Sequence, residues 1–567
     1  MEYDWRMTDS TFDRARALER LATEKFDVLV VGGGITGAGV ALDAATRGLT
    51  TALVERRDFA SGTSSKSSKM VHGGIRYLQQ GDVKLVWQAL RERRKLLQNA
   101  PHLVRPLGFM IPIYTKGGLI PKFLARGFRL VLFAYDLVGG AAIVGRHKRL
   151  TRDEALAFMP TLEPDRLHSA LLYYDARTDD ARLTLAIART AADHGAAVAN
   201  YVRVVEILKD DRGKATGARV DTGAGTIDVS ARCIVNAAGV WIDDVEAIDL
   251  GPGHEIIRPA RGVHLTVPMS VLQNRDVAVI LAAAGGPGSV FAVPWGEFAY
   301  IGTTDTDFSG PLDDPWVFGT DVDILLGHIN PSVGQALAAD DVLGGWAGLR
   351  PLLKGAPDAK TGDLSRRHKI TRWPSDVVSI AGGKLTTYRR MAQDTVDEVL
   401  RVLGRQGSCR TKALAIHGSS GYDKVDDEHL RTRYGADAGE VLALIEADPS
   451  LAEPMVPGQP YLRAEAVYAA RQEMVVDLDD VFARRTRARL FARDATADAA
   501  EAVAALVAGP LGWSADEQSR QVERYRASVA GERQAVTSAT PEAVPLSGAR
   551  RLSEGWAPGV RVPESLR

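Results

Sequence analysis

The stretch KFDVLVVGGGITGAGVALDAATRGLTTALVERRD sets Gly32, Gly34 and Gly37 at GxGxxG spacing, after a run of β-branched residues and before a helical pattern. That spacing suits the pyrophosphate of a dinucleotide. The first glycine permits a tight turn, the second lets the phosphates approach the backbone, and the third lets helix and strand pack closely. The helix N-terminus adds N–H donors and a partial positive charge. Glu55 closes the second strand, where a carboxylate accepts hydrogen bonds from an adenosine ribose. A strand before the motif, a helix after it and an acid at the next strand end together imply dinucleotide binding.

Both FAD and NAD carry the pyrophosphate this turn would hold. No second GxGxxG accompanies the first, since AAAGGPGSV around Gly285 lacks the spacing and the following helix pattern. Two other segments read as flavin architecture. RCIVNAAGVWIDD ends a buried strand at Ile234 to Asn236, and Ala238-Gly239 then let the backbone come close to a cofactor. SIAGGKLTTYRRMAQDTVDEVL repeats the strand, Gly-Gly, helix order, so a second helix N-terminus around Lys384 to Thr386 is expected to point at the cofactor.

These pieces sit in a chain of 567 residues, long enough at about 150 per domain for three or four units. Hydrophobic and charged fractions of 45% and 25% exclude a mainly disordered, collagen-like or coiled-coil chain. The net charge of −1 supplies no global field for nucleic acid, so no nucleic-acid partner is expected. Cys233 and Cys409 cannot build a disulfide framework, and no Cys/His cluster has zinc-ligand spacing, which fits a reducing cytoplasm and no metal site. The N-terminus mixes acids and bases without an apolar core, unlike a secretory signal. The longest apolar stretch, from about Leu130 to Gly145, contains Asp136 and falls short of the roughly 20 residues that span a bilayer.

Between the glycine motifs, DARLTLAIARTAADHGAAVANYVRVVEI reads as helix then strand, RPARGVHLTVP as a strand ending at Pro268, and VFAVPWGEFAYIGTTDTDF as a hairpin around Trp295 and Gly296. From about Lys412, Ala, Glu, Arg and Leu recur at helical spacing. From about Gly531 the chain is rich in Ser, Pro, Gly and Arg without apolar periodicity, and a loosely ordered tail is expected.

At this point the chain resembles the FAD-dependent glycerol-3-phosphate dehydrogenase family, of the respiratory, aerobic type. VVGGGITGAG, GTSSKSSKMVHGGIRYLQ, NAAGVWIDD, RGVHLTVP, VPWGEFAYIGTTDTDF and AGGKLTTYRR, joined by GLRPLL, coincide in order from Phe26 to about Gln393, with weaker similarity through the helical region. The resemblance implies an α/β fold: a Rossmann-like FAD-binding domain interleaved with a mixed β-sheet substrate domain, plus an all-helical C-terminal cap. In this sequence that becomes a polar leader over 1–25, the interleaved domains over 26–410 with the substrate part near 83–175 and 245–370, the cap over 411–530 and the tail over 531–567.

The family oxidises sn-glycerol 3-phosphate to dihydroxyacetone phosphate, with FAD taking the hydride and a membrane quinone reoxidising it. By resemblance, the flavin contacts are Gly32, Gly34, Gly37, Glu55, Thr63, Ser64, Ser68, Val204, Ala238, Gly239, Asp305, Lys384 and Leu385. Arg350, Arg366 and Lys384 form a cationic clamp for the phosphate, with Arg76 and Tyr77 beside them. Guanidinium groups bind a dianion through a planar fork, while a lysine supplies a point charge. His264 is the first candidate for the group that takes the hydroxyl proton, since an unperturbed histidine titrates near 6.5. It reads equally as a structural histidine on a strand face. His72 is the second candidate, and a perturbed cation of the clamp, Arg76, Arg350 or Lys384, is a third. The sequence departs from the family pattern at Val240, often Pro, and at Arg367 and His368, often an acid and an aromatic.

From Lys84 to Arg149 bases far outnumber the acids, which are Glu92 and Asp136 alone. Within that stretch VKLVWQALRERRKLLQ and LIPKFLARGFRLVLFAYDLV interleave bases with Leu, Val, Phe and Trp at helical spacing. Such a surface suits anionic lipid, where a quinone dissolves, and equally suits a core-packing helix pair with a solvated basic face. A cytoplasmic enzyme attached peripherally, in monotopic fashion, to the inner face of the cell membrane is one expectation; a homodimer stays open. Within enzymes the rivals are a glycerol-3-phosphate oxidase that makes hydrogen peroxide and an amine or amino-acid oxidase of the same superfamily. Outside them stands a flavin-binding sensor with a silent site.

Overall fold

Val28–Val31, buried along its whole length, lies inside a six-stranded sheet ordered Lys369–Arg372, Val378–Ala381, Ile234–Asn236, Val28–Val31, Thr51–Val54, Ala197–Ala199. Neighbours run parallel except the outermost pair, where Lys369–Arg372 is antiparallel to Val378–Ala381. Burial on both faces explains the unbroken apolar runs: helices cover one face, and a small sheet of Arg203–Lys209, Ala215–Asp221 and Thr226–Ala231, with the helix Arg14–Thr23, covers the other. Ile35–Thr46, Asp180–Asp193 and Tyr388–Leu403 bury apolar residues in the same core as these strands. The computed structural model describes residues 10–74, 82–120, 125–139, 144–283, 288–313, 315–355 and 367–538.

A second, mixed sheet carries the other half of the site. Its long strands Val104–Tyr114, Leu167–Thr178, Ile257–Pro268 and Gly344–Leu353 join the hairpin Ser289–Trp295 and Phe298–Gly302. Val277–Ala282 pairs parallel with Val104–Tyr114, and the remaining pairs are antiparallel. Two strands of this sheet end the chain's excursions from the first, so the two domains interleave as the sequence implies. Register sets His264 opposite both Gly302 and Trp346, and Arg350 opposite Ala260.

The C-terminal region is helical. Arg463–Gln472, Arg493–Leu511 and Ala515–Thr537 share a core that includes Phe482, Val503, Val507 and Tyr525. It is joined to the part of the chain carrying the six-stranded sheet by buried ion pairs: Asp58 receives Arg484 and Arg485, Glu473 receives Arg182, and Asp179 receives Arg487.

Two segment expectations are corrected. The leader is not merely polar: Arg14–Thr23 is a helix capped by Asp13, and its Leu18 and Leu21 are fully buried beside the strands. The tail does not begin at Gly531, because the last helix continues to Thr537. Ala535 buries against Phe318, and a Cβ at Gly531 would stand 3.0 Å from the Trp316 ring. Tertiary burial holds these turns where the local pattern is weak.

Candidate active site

One cavity of about 1270 Å³ lies between the two sheets and gathers most of the residues singled out above. At one end sits the glycine turn. Gly32 has φ +112°, and a Cβ there would meet the Ala237 carbonyl at 2.7 Å. A Cβ on Gly37 would fall 1.8 Å from the Gly32 carbonyl oxygen, so this glycine lets the helix sit on the turn. Gly34 would bring a Cβ within 3.1 Å of Ser64 Oγ, leaving the backbone bare toward the cavity.

Glu55 is held by two backbone donors. Its Oε2 accepts from Gly33 N–H at 2.6 Å and its Oε1 from Arg57 N–H at 2.8 Å. Burial raises its carboxyl above the usual range, with those two donors opposing. Ser64 Oγ accepts the Ile35 N–H at 2.9 Å, so one first-turn donor of the helix is used internally rather than by a phosphate. Thr63 donates to the Leu349 carbonyl at 2.5 Å, tying the hydroxyl-rich segment to the second sheet. Val204, Ala238, Gly239 and Leu385 complete this wall of the cavity.

Elsewhere on the cavity wall His264 is 3% exposed and stacks on Trp346, with ring centroids 4.7 Å apart and an 11° tilt. Gly302 makes the room, since a Cβ there would stand 2.2 Å from the imidazole. Its Nε2 lies 2.8 Å from Ser68 Oγ, and Tyr300 OH donates to the Ser68 carbonyl at 2.9 Å. Burial drives the imidazole well below 6.5, and the charges of Lys69 and Arg350 push the same way. The ring is therefore neutral at physiological pH.

Two predicted cations line the same cavity. Arg350 is fixed by Asp305 at 3.0 Å, Thr303 Oγ1 at 3.1 Å and the Thr304 carbonyl at 3.2 Å. Those contacts set the plane of its guanidinium. Lys384 precedes the helical turn Leu385–Thr387 and follows Gly382 and Gly383, both at positive φ. His72 lines the cavity too, and its backbone N–H donates to Thr386 Oγ1 at 3.2 Å. Arg76, Tyr77 and Arg366 lie outside the described residues, and Gly37 packs beneath the turn rather than on the cavity wall.

Sequence reasoning missed residues of this wall and of the layer packed behind it. Arg56 lies over Trp241, 4.5 Å from the ring centroid, beside the glycine turn. Lys69, in the same SSKMVHGG run as Ser68, is fully buried under Trp346. Its position beside Ser68 was a signal, but nothing in the sequence places it against a tryptophan 277 residues later. An apolar arm of Phe109, Ile111, Leu119, Ile120, Phe128, Ile280 and Phe291 extends the cavity toward the helix Ala125–Gly139. Its residues come from separate strands and a helix, so no local pattern marks them.

The cradle fits a flavin dinucleotide. Bare glycine backbone faces the cavity at one end, while buried Trp241 Nε1 and His264 Nδ1, whose side chains belong to cavity-lining residues, have no hydrogen-bond partner among the described residues. A family model of FAD dependent oxidoreductases matches residues 27–385, and one for the C-terminal domain of alpha-glycerophosphate oxidase matches 378–518. Fold and site thus define an FAD-dependent oxidoreductase. Glycerol-3-phosphate dehydrogenase 2 of Mycobacterium tuberculosis is 41% identical over 550 residues, 94% of this chain and 92% of that one. The mitochondrial glycerol-3-phosphate dehydrogenase of Homo sapiens is 36% identical over 90% of this chain and 74% of its own. A solved glycerol-3-phosphate dehydrogenase from Bacillus halodurans, complexed with FAD, superposes with a TM-score of 0.73 at 31% identity, covering 92% of this chain and 97% of that one. The chain belongs to the FAD-dependent glycerol-3-phosphate dehydrogenase family, and its cofactor is FAD.

Proposed function

We propose that this chain oxidises sn-glycerol 3-phosphate to dihydroxyacetone phosphate and that the electrons pass on to a membrane quinone. The reading rests on one observation: a neutral, buried histidine and a braced arginine line the same cavity as a dinucleotide-binding glycine turn. Bound there, FAD supplies the acceptor for the hydride that leaves the substrate carbinol carbon.

The protein's part is binding, orientation and proton handling. Arg350, with its plane set by Asp305 and Thr303, takes the phosphate, and Lys384 adds a second positive charge from the start of its helix. His264 takes the hydroxyl proton. Ser68 engages Nε2, Nδ1 is the ring nitrogen without a partner among the described residues, and burial keeps the imidazole unprotonated and able to accept a proton at neutral pH.

The acceptor side is supported by the apolar arm, which shares the helix Ala125–Gly139 through Phe128. That helix exposes Leu130, Phe133 and Leu137, spaced to lie on one face, and the helix Val83–Asn99 adds exposed Val83 and Trp87. Together with the basic excess between Lys84 and Arg149 this face suits an anionic lipid surface, with quinone entering from the lipid. No helix among the described residues is long and apolar enough to cross a membrane.

Anaerobic titration of the yellow protein tests the reading. Glycerol 3-phosphate bleaches the flavin absorbance, glycerol does not, and a quinone analogue restores the colour. Bleaching indifferent to the phosphate moves the assignment to an amine or amino-acid oxidase, and peroxide formed in step with substrate moves it to the oxidase.

A further inference from the structure

Lys69 is a fully buried lysine one residue from the serine that contacts His264. Its backbone sits at φ +51°, a left-handed conformation that a residue with a Cβ adopts only where its surroundings hold it. The holding groups are identifiable. Lys69 Nζ donates to Asp180 Oδ1 at 3.0 Å and to the Ser65 carbonyl at 2.9 Å. The same ammonium lies over the Trp346 ring, 4.4 Å from its centroid, and Trp346 is the ring on which His264 stacks.

Asp180 organises the rest of this layer. Its Oδ2 accepts from Ser67 N–H at 3.0 Å and Ser67 Oγ–H at 2.7 Å, while Trp346 Nε1 donates to the Ser67 carbonyl at 3.1 Å. Asp180 Oδ1 also receives Arg487 of the C-terminal helical region, which bonds Asp179 Oδ1 at 2.7 Å as well. A continuous set of contacts thus runs from the cap to the imidazole: Arg487, Asp180, Lys69 and Ser67, Trp346 and Ser68, His264.

We propose that Lys69 is a positioning residue for the reaction, tuned by Arg487 of the cap, which fixes the Trp346 and Ser68 contacts that orient His264. The inference deepens the proton-acceptor reading of His264 and rests on it. Burial brings the Lys69 ammonium down to about 8, with Asp180 and Asp179 raising it and Arg487 lowering it, so it remains a cation at neutral pH. Of the charged groups around His264, Lys69 and Arg350 bear on the ring; its other neighbours, Ser68, Tyr300 and Trp346, are uncharged there.

The test compares full-length, FAD-loaded wild type, Lys69→Met, Lys69→Arg and His264→Asn in kcat/KM against pH, using a soluble dye acceptor, with FAD content read from absorbance. Lys69→Met is expected to keep FAD, to lose about tenfold or more in kcat with KM little changed, and to move the acid limb upward in pH, because a cation that disfavours the imidazolium is gone. Lys69→Arg keeps the charge, so its limb stays while kcat falls. A Lys69→Met profile that matches wild type in both kcat and limb overturns the proposal. Should Lys69→Met fail to retain FAD, Lys69→Arg decides alone: lowered kcat at wild-type KM and limb supports the proposal, and wild-type kcat overturns it. His264→Asn separates the two readings, since a retained limb and rate in that variant sinks the proton-acceptor role itself.

Discussion

Ser68 Oγ lies 2.8 Å from His264 Nε2, which anchors one nitrogen of a ring whose other nitrogen has no partner among the described residues. The anchored ring is also clamped by Trp346 on its face, so its orientation is set before substrate arrives. Replacing His264 by Asn keeps polarity and removes the base. Turnover with glycerol 3-phosphate should fall by about 10² to 10⁴, the usual contribution of a positioned general base, with FAD still bound. Stopped-flow measurement of flavin bleaching checks it, and bleaching at the wild-type rate would assign the proton to another group.

The same histidine predicts a pH effect on stability. Its folded pKa lies well below 6.5 because burial disfavours the charge, whereas the unfolded chain titrates near the ordinary value of about 6.5. Below that value the unfolded state therefore binds more protons, and stability contributed by the neutral ring is lost as pH falls toward the folded pKa. Thermal midpoints should drop more steeply between about pH 7 and pH 5 in wild type than in His264→Asn. Parallel curves for the two proteins count against a buried, uncharged imidazole.

Arg350→Lys isolates the phosphate contact. Asp305, Thr303 and the Thr304 carbonyl hold the guanidinium plane, and an ammonium cannot present the same fork. Losing one or two charge-assisted hydrogen bonds of about 1.5–3 kcal/mol each raises KM for glycerol 3-phosphate by about tenfold or more. The measurement is steady-state kinetics beside FAD content. An unchanged KM would move the phosphate away from this residue.

Asp58 is a fully buried carboxylate paired with two arginines of the C-terminal region. Burial alone would raise its pKa, but Arg485 and Arg484 bring it below the ordinary value. Arg485 Nη1 and Arg484 Nε donate to its Oδ2 at 2.7 Å and 2.6 Å, so the contact ties the C-terminal helical region to the turn after Glu55. Asp58→Asn leaves two buried guanidinium groups short of a counter-charge, at a cost of about 3–5 kcal/mol. Because the folded pKa is depressed, the stability Asp58 contributes is present above about pH 4 and is lost as pH falls below it. Denaturant unfolding of the variant reads the first effect, and a loss under about 1 kcal/mol would mean that other groups share the load.

The glycine turn was legible because some of its demands are local. Gly37 answers to the Gly32 carbonyl five residues before it, and Glu55 binds the Gly33 and Arg57 N–H groups, whereas the Ala237 carbonyl against Gly32 and the Ser64 hydroxyl against Gly34 come from farther along the chain. The strand bearing His264 was legible for a different reason: alternation and turn residues mark Ile257–Pro268 and the hairpin after it. What surrounds His264 was not. Trp346, Tyr300 and Lys69 arrive from three separate elements through register and long-range packing, which leave no spacing to read. The last turns to Thr537 were missed likewise, since they are helical on account of Phe318 and Trp316, far away in sequence.

The exposed face of Ala125–Gly139 carries the final prediction. Leu130, Phe133 and Leu137 are 71%, 59% and 70% exposed, while Leu132 and Tyr135 of the same helix are buried. Tyr135 donates to Asp175 at 2.9 Å, and Asp175 also pairs with Arg93 of the neighbouring helix, so the helix is anchored to the body with its apolar residues turned outward. Burying three such side chains in lipid is worth about 1.5–3 kcal/mol apiece, so their loss removes a large share of an attraction to which each nearby base adds about 1 kcal/mol. A triple change of Leu130, Phe133 and Leu137 to Ser should abolish flotation with anionic vesicles at low salt, while reduction by glycerol 3-phosphate with a soluble acceptor stays at the wild-type rate. Turnover with a lipid-embedded quinone should fall with flotation, because Phe128 of this helix lines the apolar arm. Wild-type flotation by the variant would remove this helix from the docking surface.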